Sequence, residues 1–466
     1  VSIAAVSGSA AVAGVILSRK FGHGVKTDGF FAAYGVYLAI VLVANALRVV
    51  VLPRFAAARA EGRLAGEVGT WMAALAVPLV PAVVVSLVWP GGIAHALAGN
   101  AASRHAAAEL LPWLIPAAAA QVYAGVLASA LAAVDDYVTA ALGFGLGAVT
   151  GLAVIGAVIG HGVVAFGWGL AANGALAVAV PLRSVLSHRL VARPDASPFA
   201  RLHELVDGVA LPFALQGLYV IGLRFALGLG TGEATTFSYA YLIAASLVAV
   251  TATSIALVAT VPFAREGSSP ERVSRHVVSI SWLSLAVVAA AAGVFALAGA
   301  TVVQRVLGSS YGGGTGAELG RLVVYLAPWM VASVAVTVAY PLLFVRGRAR
   351  WLPLVAAAVL GVHTLVEWGA RAAFGLAGVA AGLAVTTALV LVVLLGALGA
   401  LRRSLEGLAL AGLACAGVAV AAFVLPRTVL GPVAAAAAGL VLYAGALVLW
   451  RPPGLRHAWA YVRALQ

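Results

Sequence analysis

Phe30–Phe55 reads FFAAYGVYLAIVLVANALRVVVLPRF. About 210 residues later, Phe237–Arg265 reads FSYAYLIAASLVAVTATSIALVATVPFAR, a repeat on the scale of a whole helical lobe. Both segments open on aromatics, run through an apolar stretch of membrane length, and close on a proline beside Phe and Arg (Pro53 and Pro262). Two more pairs keep a similar offset. Leu111–Tyr137, with Pro112 and Trp113 near its start, matches Leu326–Leu352, with Pro328 and Trp329; Phe166–Ala171 (FGWGLA) matches Val379–Ala384 (VAAGLA). A duplication inside a membrane chain predicts a transporter of two like halves with the substrate handled between them.

Composition places the chain in the bilayer. Charged residues make up 9% of it and hydrophobic residues 63%, against roughly 25% charged in soluble proteins. Apolar runs of about 20 residues recur throughout, the length that crosses a ~30 Å hydrocarbon layer. They are continuous and do not alternate, which excludes an outer-membrane barrel. The first run lacks a basic leader and passes straight into further spans, so no cleavable signal peptide is expected; Val1 in place of Met points to an alternative start codon or a trimmed terminus. Cys415, the single cysteine, lies in an apolar run and excludes disulfides and thiolate metal sites.

The sequence divides into fourteen predicted spans, near 2–18, 30–52, 69–90, 111–133, 137–160, 162–182, 207–230, 234–262, 277–303, 321–344, 352–370, 374–399, 406–425 and 429–450. The fold class is therefore an all-α polytopic membrane protein. Charge fixes the expected orientation. Eighteen Lys and Arg residues, among them Arg54, Arg59, Arg63, Arg346 and Arg403, fall in even-numbered connections and the C-terminal tail, against eight in odd-numbered ones. By the positive-inside rule both termini are cytoplasmic. The net charge of +13 is then an orientation signal with a bias toward anionic lipid, and nucleic acid is not an expected partner. The repeat offset encloses six spans, an even number, so the copies are parallel. The expected domains are 1–203 (six spans), 204–403 (six spans), and 404–466 (two appended spans and a tail).

Candidate sites are polar groups in or beside spans. Arg224, in the seventh span with Gln216 and Tyr219 on the same helix, reads either as a cation for an anionic headgroup or as an arginine snorkelling to the outer interface. Arg48, with Asn45 about one turn earlier, reads the same way at the cytoplasmic end of span two. Arg19, Lys20 and Lys26 flank Asp28 on the outer side, where they could form an exit site for a diphosphate; alternatively Thr27 and Asp28 cap the second helix. His363, Glu367 and Arg371 share one face of span eleven. They read either as ion or proton coupling through His363 and Glu367, or as an interfacial Glu367–Arg371 bridge beside Trp368. Asp135 and Asp136 read as solvated turn residues, and Gln121, Tyr123, Asn173, Tyr239, Tyr241, Tyr325 and Tyr340 as cavity lining or interhelical bonds. Gly143–Gly147 (GFGLG) reads as close helix packing, and the stretch Tyr311–Gly316 lacks the GK[ST] of a phosphate loop. No HExxH, CxxC or Ser-His-Asp constellation is present. An enzyme, a nucleotide and a metal cofactor are not expected, and transport would draw on a coupling ion or the membrane potential.

The segment Phe21–Arg63, FGHGVKTDGFFAAYG…LRVVVLPRFAAARAEGR, resembles the start of the MurJ/MviN lipid II flippases of the MOP (multidrug/oligosaccharidyl-lipid/polysaccharide) exporter superfamily, which read FGxGxxTDAFFxAF here. The likeness continues through Tyr239–Ala264, Val338–Ala356 (VAYPLLFVRGRARWLPLVA) and Phe374–Arg403. It implies two six-helix lobes around a central cavity and two extra helices forming a lipid-facing groove. The implied activity is flipping a polyprenyl-diphosphate-linked saccharide to the outer leaflet of the bacterial cytoplasmic membrane. Asp28 matches the family's acid at the head of span two. Where the family carries cavity arginines this chain has Ala13 with Gly14, Val41, and Leu242 with Ile243, which keeps the glycan open. The rivals are a flippase for an O-antigen or capsule unit, a multidrug/cation antiporter of the superfamily, and a non-transporting scaffold for wall assembly. Lipid-linked saccharide and membrane lipid are the expected partners, and a monomer the expected state.

Overall fold

The computed structural model describes residues 2–249, 269–346, 349–450 and 454–456. They form helices with no β-strand among them. In chain order these are α1 (Ser2–Phe21), α2 (Val25–Ala60), α3 (Leu64–Val88), α4 (Pro90–Leu97), α5 (Ala101–Ala133), α6 (Tyr137–Val158), α7 (Val164–Ser187), α8 (Pro198–Leu227) and α9 (Glu233–Val248). There follow α10 (Pro270–Leu307), α11 (Gly314–Tyr325), α12 (Ala327–Val345), α13 (Leu352–Ala397), α14 (Leu401–Arg427) and α15 (Pro432–Trp450). Short 3-10 turns punctuate the connections. Helices are the only open-ended structure that satisfies every backbone amide without water, and that requirement explains their monopoly here.

Among the described residues, 11 helices are long and apolar enough to cross a membrane. One of them, α13, is two segments folded back at Gly375, whose φ of 58° is open to glycine. The halves run antiparallel: a Cβ on Gly378 would lie 2.0 Å from the Ala370 carbonyl oxygen. With α1, and with α9, whose described part ends at Val248, this accounts for the fourteen-span, six-plus-six-plus-two reading. The structure adds two features. Between the third and fourth spans lies the short α4, started by Pro90. The tenth span is interrupted at Leu326, where Pro328 opens α12.

The chain divides into two compact units, Val1–Thr235 with Trp351–Leu360, and Thr236–Arg350 with Gly361–Gln466. This division differs from the expected 1–203 and 204–403 lobes at α8, which packs in the first unit. In that unit α5 is the central helix, and Leu47, Phe55, Trp71, Leu75, Val126 and Leu131 form its core. Small residues let helices approach: Gly143 meets Pro181, Gly147 meets the Asn173 carbonyl and Gly151 meets the Gly169 carbonyl, so the GFGLG stretch of α6 is a packing surface for α7. Gln121 donates to Asn173 Oδ1 at 3.3 Å between α5 and α7. In the second unit the Phe423 ring of α14 is seated between Gly293 of α10 and Gly439 of α15.

Three helix starts are capped by a side-chain acceptor, Asn100 for α5, Asp136 for α6 and Ser269 for α10, whereas Ser197 at the start of α8 makes no such bond. Asp135 forms an ion pair with Arg59 at 2.8 Å, while Asp136 Oδ1 accepts from the Thr139 amide at 3.1 Å. Hydrogen bonding to Thr139 holds the Asp136 carboxyl below the usual carboxylate range. A lowered folded pKa stabilises above the unfolded value, ~3.9 for Asp, and the gain is lost as pH falls through the folded value. Asp136→Ala is therefore expected to cost about 1 kcal/mol at neutral pH. Thermal melts of both proteins should converge as the pH is lowered through the carboxylate range.

Candidate functional site

Asp28 is fully buried, and its carboxylate accepts three hydrogen bonds from the start of α9. The Gly232 amide donates to Oδ2 at 2.7 Å, and the Thr235 amide and hydroxyl donate to Oδ1 at 2.9 and 2.6 Å. The capping role expected for Asp28 thus goes to α9 and not to its own helix, where Thr27 instead donates to the Gly22 carbonyl at 3.0 Å. The anion sits on the positive end of the α9 dipole and satisfies amides that have no partner within that helix. Gly232 has φ +90°, and the His23 ring fills the space where its Cβ would stand.

The cations do not gather around Asp28. Arg19 and Lys26 are exposed. Arg224 is exposed and donates Nε to the Ala96 carbonyl at 3.1 Å. Arg104 donates to the Ala98 and Gly99 carbonyls at 3.1 and 3.0 Å. Two guanidinium groups therefore serve the carboxyl end of α4, a placement the helix dipole favours. Gln216 and Tyr219 are buried on α8, with Tyr219 and Leu223 facing Gly35 of α2. Arg48 does not snorkel: its guanidinium carbon lies 4.8 Å from the centroid of the Phe144 ring on α6, a cation–π contact. Its Nε is buried and has no hydrogen-bond partner among the described residues. The Asn45 side chain lies outside the described residues.

The two span-eleven candidates do come together. His363 Nε2 lies 3.4 Å from Glu367 Oε1, and both side chains are wholly buried. Thr386, on the returning half of α13, places its hydroxyl 3.0 Å from His363 Nδ1. Gly382 makes room for the carboxylate, since a Cβ there would stand 2.8 Å from Glu367 Oε1. Neither oxygen of Glu367 has a hydrogen-bond donor among the described residues. The alternative of a Glu367–Arg371 bridge is replaced by this inward pair, because the fold-back at Gly375 brings Thr386 and Gly382 against the face that bears His363. Among the described residues no third His, Cys, Asp or Glu joins the pair to form a metal-ligating cluster.

Within the second unit an apolar groove of about 690 Å³ follows α14 from Leu405 to Arg427, against α10, α12 and the second half of α13. Its walls are mostly alkyl and small, with Gly293, Ala296, Leu391, Gly412 and Ala416 among them beside the Phe423 ring, and Arg427 is the one cation among the described lining residues. At 1.5 Å per residue it runs for about 33 Å, close to the thickness of a hydrocarbon layer.

Sequence reading missed Thr235, Thr386, Gly382 and Phe144. Thr235 had a signal: aligning Phe30 with Phe237 makes Asp28 and Thr235 repeat mates, 207 residues apart.

No protein-family model matches the chain, and no curated protein sequence matches it. Solved structures match it along nearly its whole length. The lipid II flippase MurJ in an inward closed conformation superposes with a TM-score of 0.72 at 11% identity, over 95% of this chain and 96% of that one. The fold is that of the MOP transporters. An inward-facing multidrug resistance MATE family transporter of the MOP superfamily gives 0.66 at 15% identity, over 86% and 94%. The Vibrio cholerae MATE transporter VcmN in its bent form gives 0.52 at 12% identity, over 88% and 97%.

Removing the Asp28 carboxylate strands two amides and a hydroxyl at the start of α9. Asp28→Ala is expected to lower stability by about 2–4 kcal/mol and Thr235→Val by about 1 kcal/mol, read as thermal shifts in detergent. Equal shifts for the two would show that the charge contributes nothing beyond one neutral hydrogen bond.

Proposed function

We propose that the chain is a flippase that moves a polyprenyl-diphosphate-linked saccharide from the cytoplasmic to the outer leaflet of a bacterial cytoplasmic membrane. Lipid II or a related envelope precursor is the substrate class, and both termini are cytoplasmic. The observation that carries this reading is the groove along α14. A MOP-type transporter of a detached drug has no need of a smooth alkyl channel as long as the bilayer is thick. A transporter of a headgroup on a long isoprenoid must leave the tail in an apolar path while the head crosses. Arg48, orphaned at Nε above Phe144, is the cation best placed to meet an incoming diphosphate. Transport proceeds by alternating access of the two repeat-derived lobes, 1–203 and 204–403, with 404–466 beside the tail.

The driving ion enters through His363 and Glu367. A wholly buried pair of this kind is most stable when its net charge is near zero, as neutral His with protonated Glu or as imidazolium with carboxylate. Binding or losing one proton breaks that balance, and a membrane protein relieves the imbalance by changing which side the site faces. Thr386 orients the imidazole by holding Nδ1, which leaves Nε2 toward the carboxylate.

Reconstitution into proteoliposomes tests both parts. With lipid II and an O-antigen-type lipid-linked glycan offered separately, leaflet-specific labelling should show flipping of one of them, accelerated by a pH gradient. Flipping of neither would sink the reading. Glu367→Gln keeps shape and burial but removes the titrating group; it should cut gradient-driven flipping by at least tenfold with little change in thermal stability. Gly412→Trp, which fills the groove, should slow flipping while leaving the response to pH intact.

A further inference from the structure

The segment that separates the two repeats, residues 188–197, is fastened along its length to α3. The Ala192 amide donates to the Ala65 carbonyl at 3.0 Å. Thr70 donates its hydroxyl to Asp195 Oδ1 at 3.0 Å and accepts from the Asp195 amide at 3.2 Å. The Ala192 carbonyl sits so close to α3 that a Cβ on Gly69 would be 2.0 Å from it. Immediately after this strap, the head of α8 is clamped. Arg201 donates to Glu67 at 2.9 Å with side chains only 16% and 4% exposed, and the other Glu67 oxygen accepts from Trp71 at 2.9 Å. Arg54 of α2 reaches Glu204 at 3.0 Å. Further along, Gly208 is pressed on Val50, and Tyr219 and Leu223 on Gly35.

A connection built this way cannot act as a joint, because any rotation at 188–197 would break a shielded ion pair and strand Glu67. We infer that α8 travels as part of the first compact unit. Motion between the units is then taken up beyond Thr235, the last residue held by Asp28, and within α13 at Gly361, and not at the linker between the repeats. Two facts place those joints. The first unit ends at Thr235, and the bonds from Asp28 to Gly232 and Thr235 hold the chain to α2 up to that point. In α13 the division falls between Leu360 and Gly361, where a glycine stands in open space within the helix. The inference rests on a moving transporter but on no particular substrate.

The test measures distances, so it does not require the cargo. In a Cys415→Ala background, spin labels replace Leu52 (α2), Phe213 (α8) and Leu410 (α14), which are 39%, 45% and 69% exposed. Double electron–electron resonance is recorded in nanodiscs at acid and alkaline pH. The 52/213 pair should give one narrow distance that does not change, and the 213/410 pair more than one population. A second variant pins the contact. The Cβ of a residue at 208 would lie 3.7 Å from Val50 Cβ, within the range a disulfide spans (about 3.5–4.5 Å), so Val50→Cys with Gly208→Cys should cross-link on oxidation. The 213/410 distribution should be unaltered by that bond. Glu67→Gln should broaden the 52/213 distance. Several populations for 52/213, a single narrow distance for 213/410, or collapse of the 213/410 populations on oxidation would each overturn the inference. The flippase reading can fail on its own, through loss of glycan transport, without touching this result.

Discussion

Hydrocarbon offers a backbone amide no water, and everything in this molecule follows from that constraint. The chain must be helical wherever it crosses the bilayer, and helices that gain nothing from hydrophobic exclusion associate by close contact. Hence the glycines of α6 against α7, and the Phe423 ring between Gly293 and Gly439. The same constraint gives polar groups their meaning. A buried carboxylate or guanidinium in such a setting is there because something holds it, and the places where Asp28, Glu67, Arg48 and Glu367 are held are the places where the structure departs from a plain bundle.

Those four acts of holding differ in kind. Asp28 is saturated: three donors from α9 surround it, one of them its own repeat mate Thr235. Glu67 is likewise saturated, by Arg201 and Trp71. Arg48 and Glu367 are not. Arg48 has a ring for its flat face and an idle Nε, while Glu367 has an imidazole at 3.4 Å and no hydrogen-bond donor among the described residues. Saturated groups fix helices in place; unsaturated ones keep capacity for a ligand. On that division, Asp28 and Glu67 are bound up in the scaffold, and Arg48 and Glu367 are the groups the proposed transport role draws on.

The repeat also explains why chain order misleads about packing. The duplication read from sequence places a seam at 203/204, but packing places α8 with the first unit. Glu204, just past that seam, is paired back across it with Arg54 of α2, while Arg201, just before it, holds Glu67 of α3.

Much was legible from residues alone, and the rest was not, for definite reasons. The span count, the parallel repeat and the orientation expected from Arg and Lys follow from local properties: the length of apolar runs, a repeat offset and the sites of charge. Even the fold-back of the eleventh and twelfth spans was visible, because Arg371 interrupts the hydropathy close to Gly375. Partnership was invisible. That Asp28 serves α9, that Glu67 binds Arg201 134 residues away, and that Glu367 turns to His363 and not to Arg371 depend on which helix faces which. Arg224 shows the limit most plainly, since its partner Ala96 sits on a short helix the hydropathy pattern hides. Sequence by itself determined that this chain crosses a bilayer in two like sets of helices, since the cost of exposing amides and charges to hydrocarbon is paid residue by residue. Only tertiary structure decided which charges meet partners and which have an atom without one among the described residues, because that depends on the distance between atoms that the chain keeps far apart.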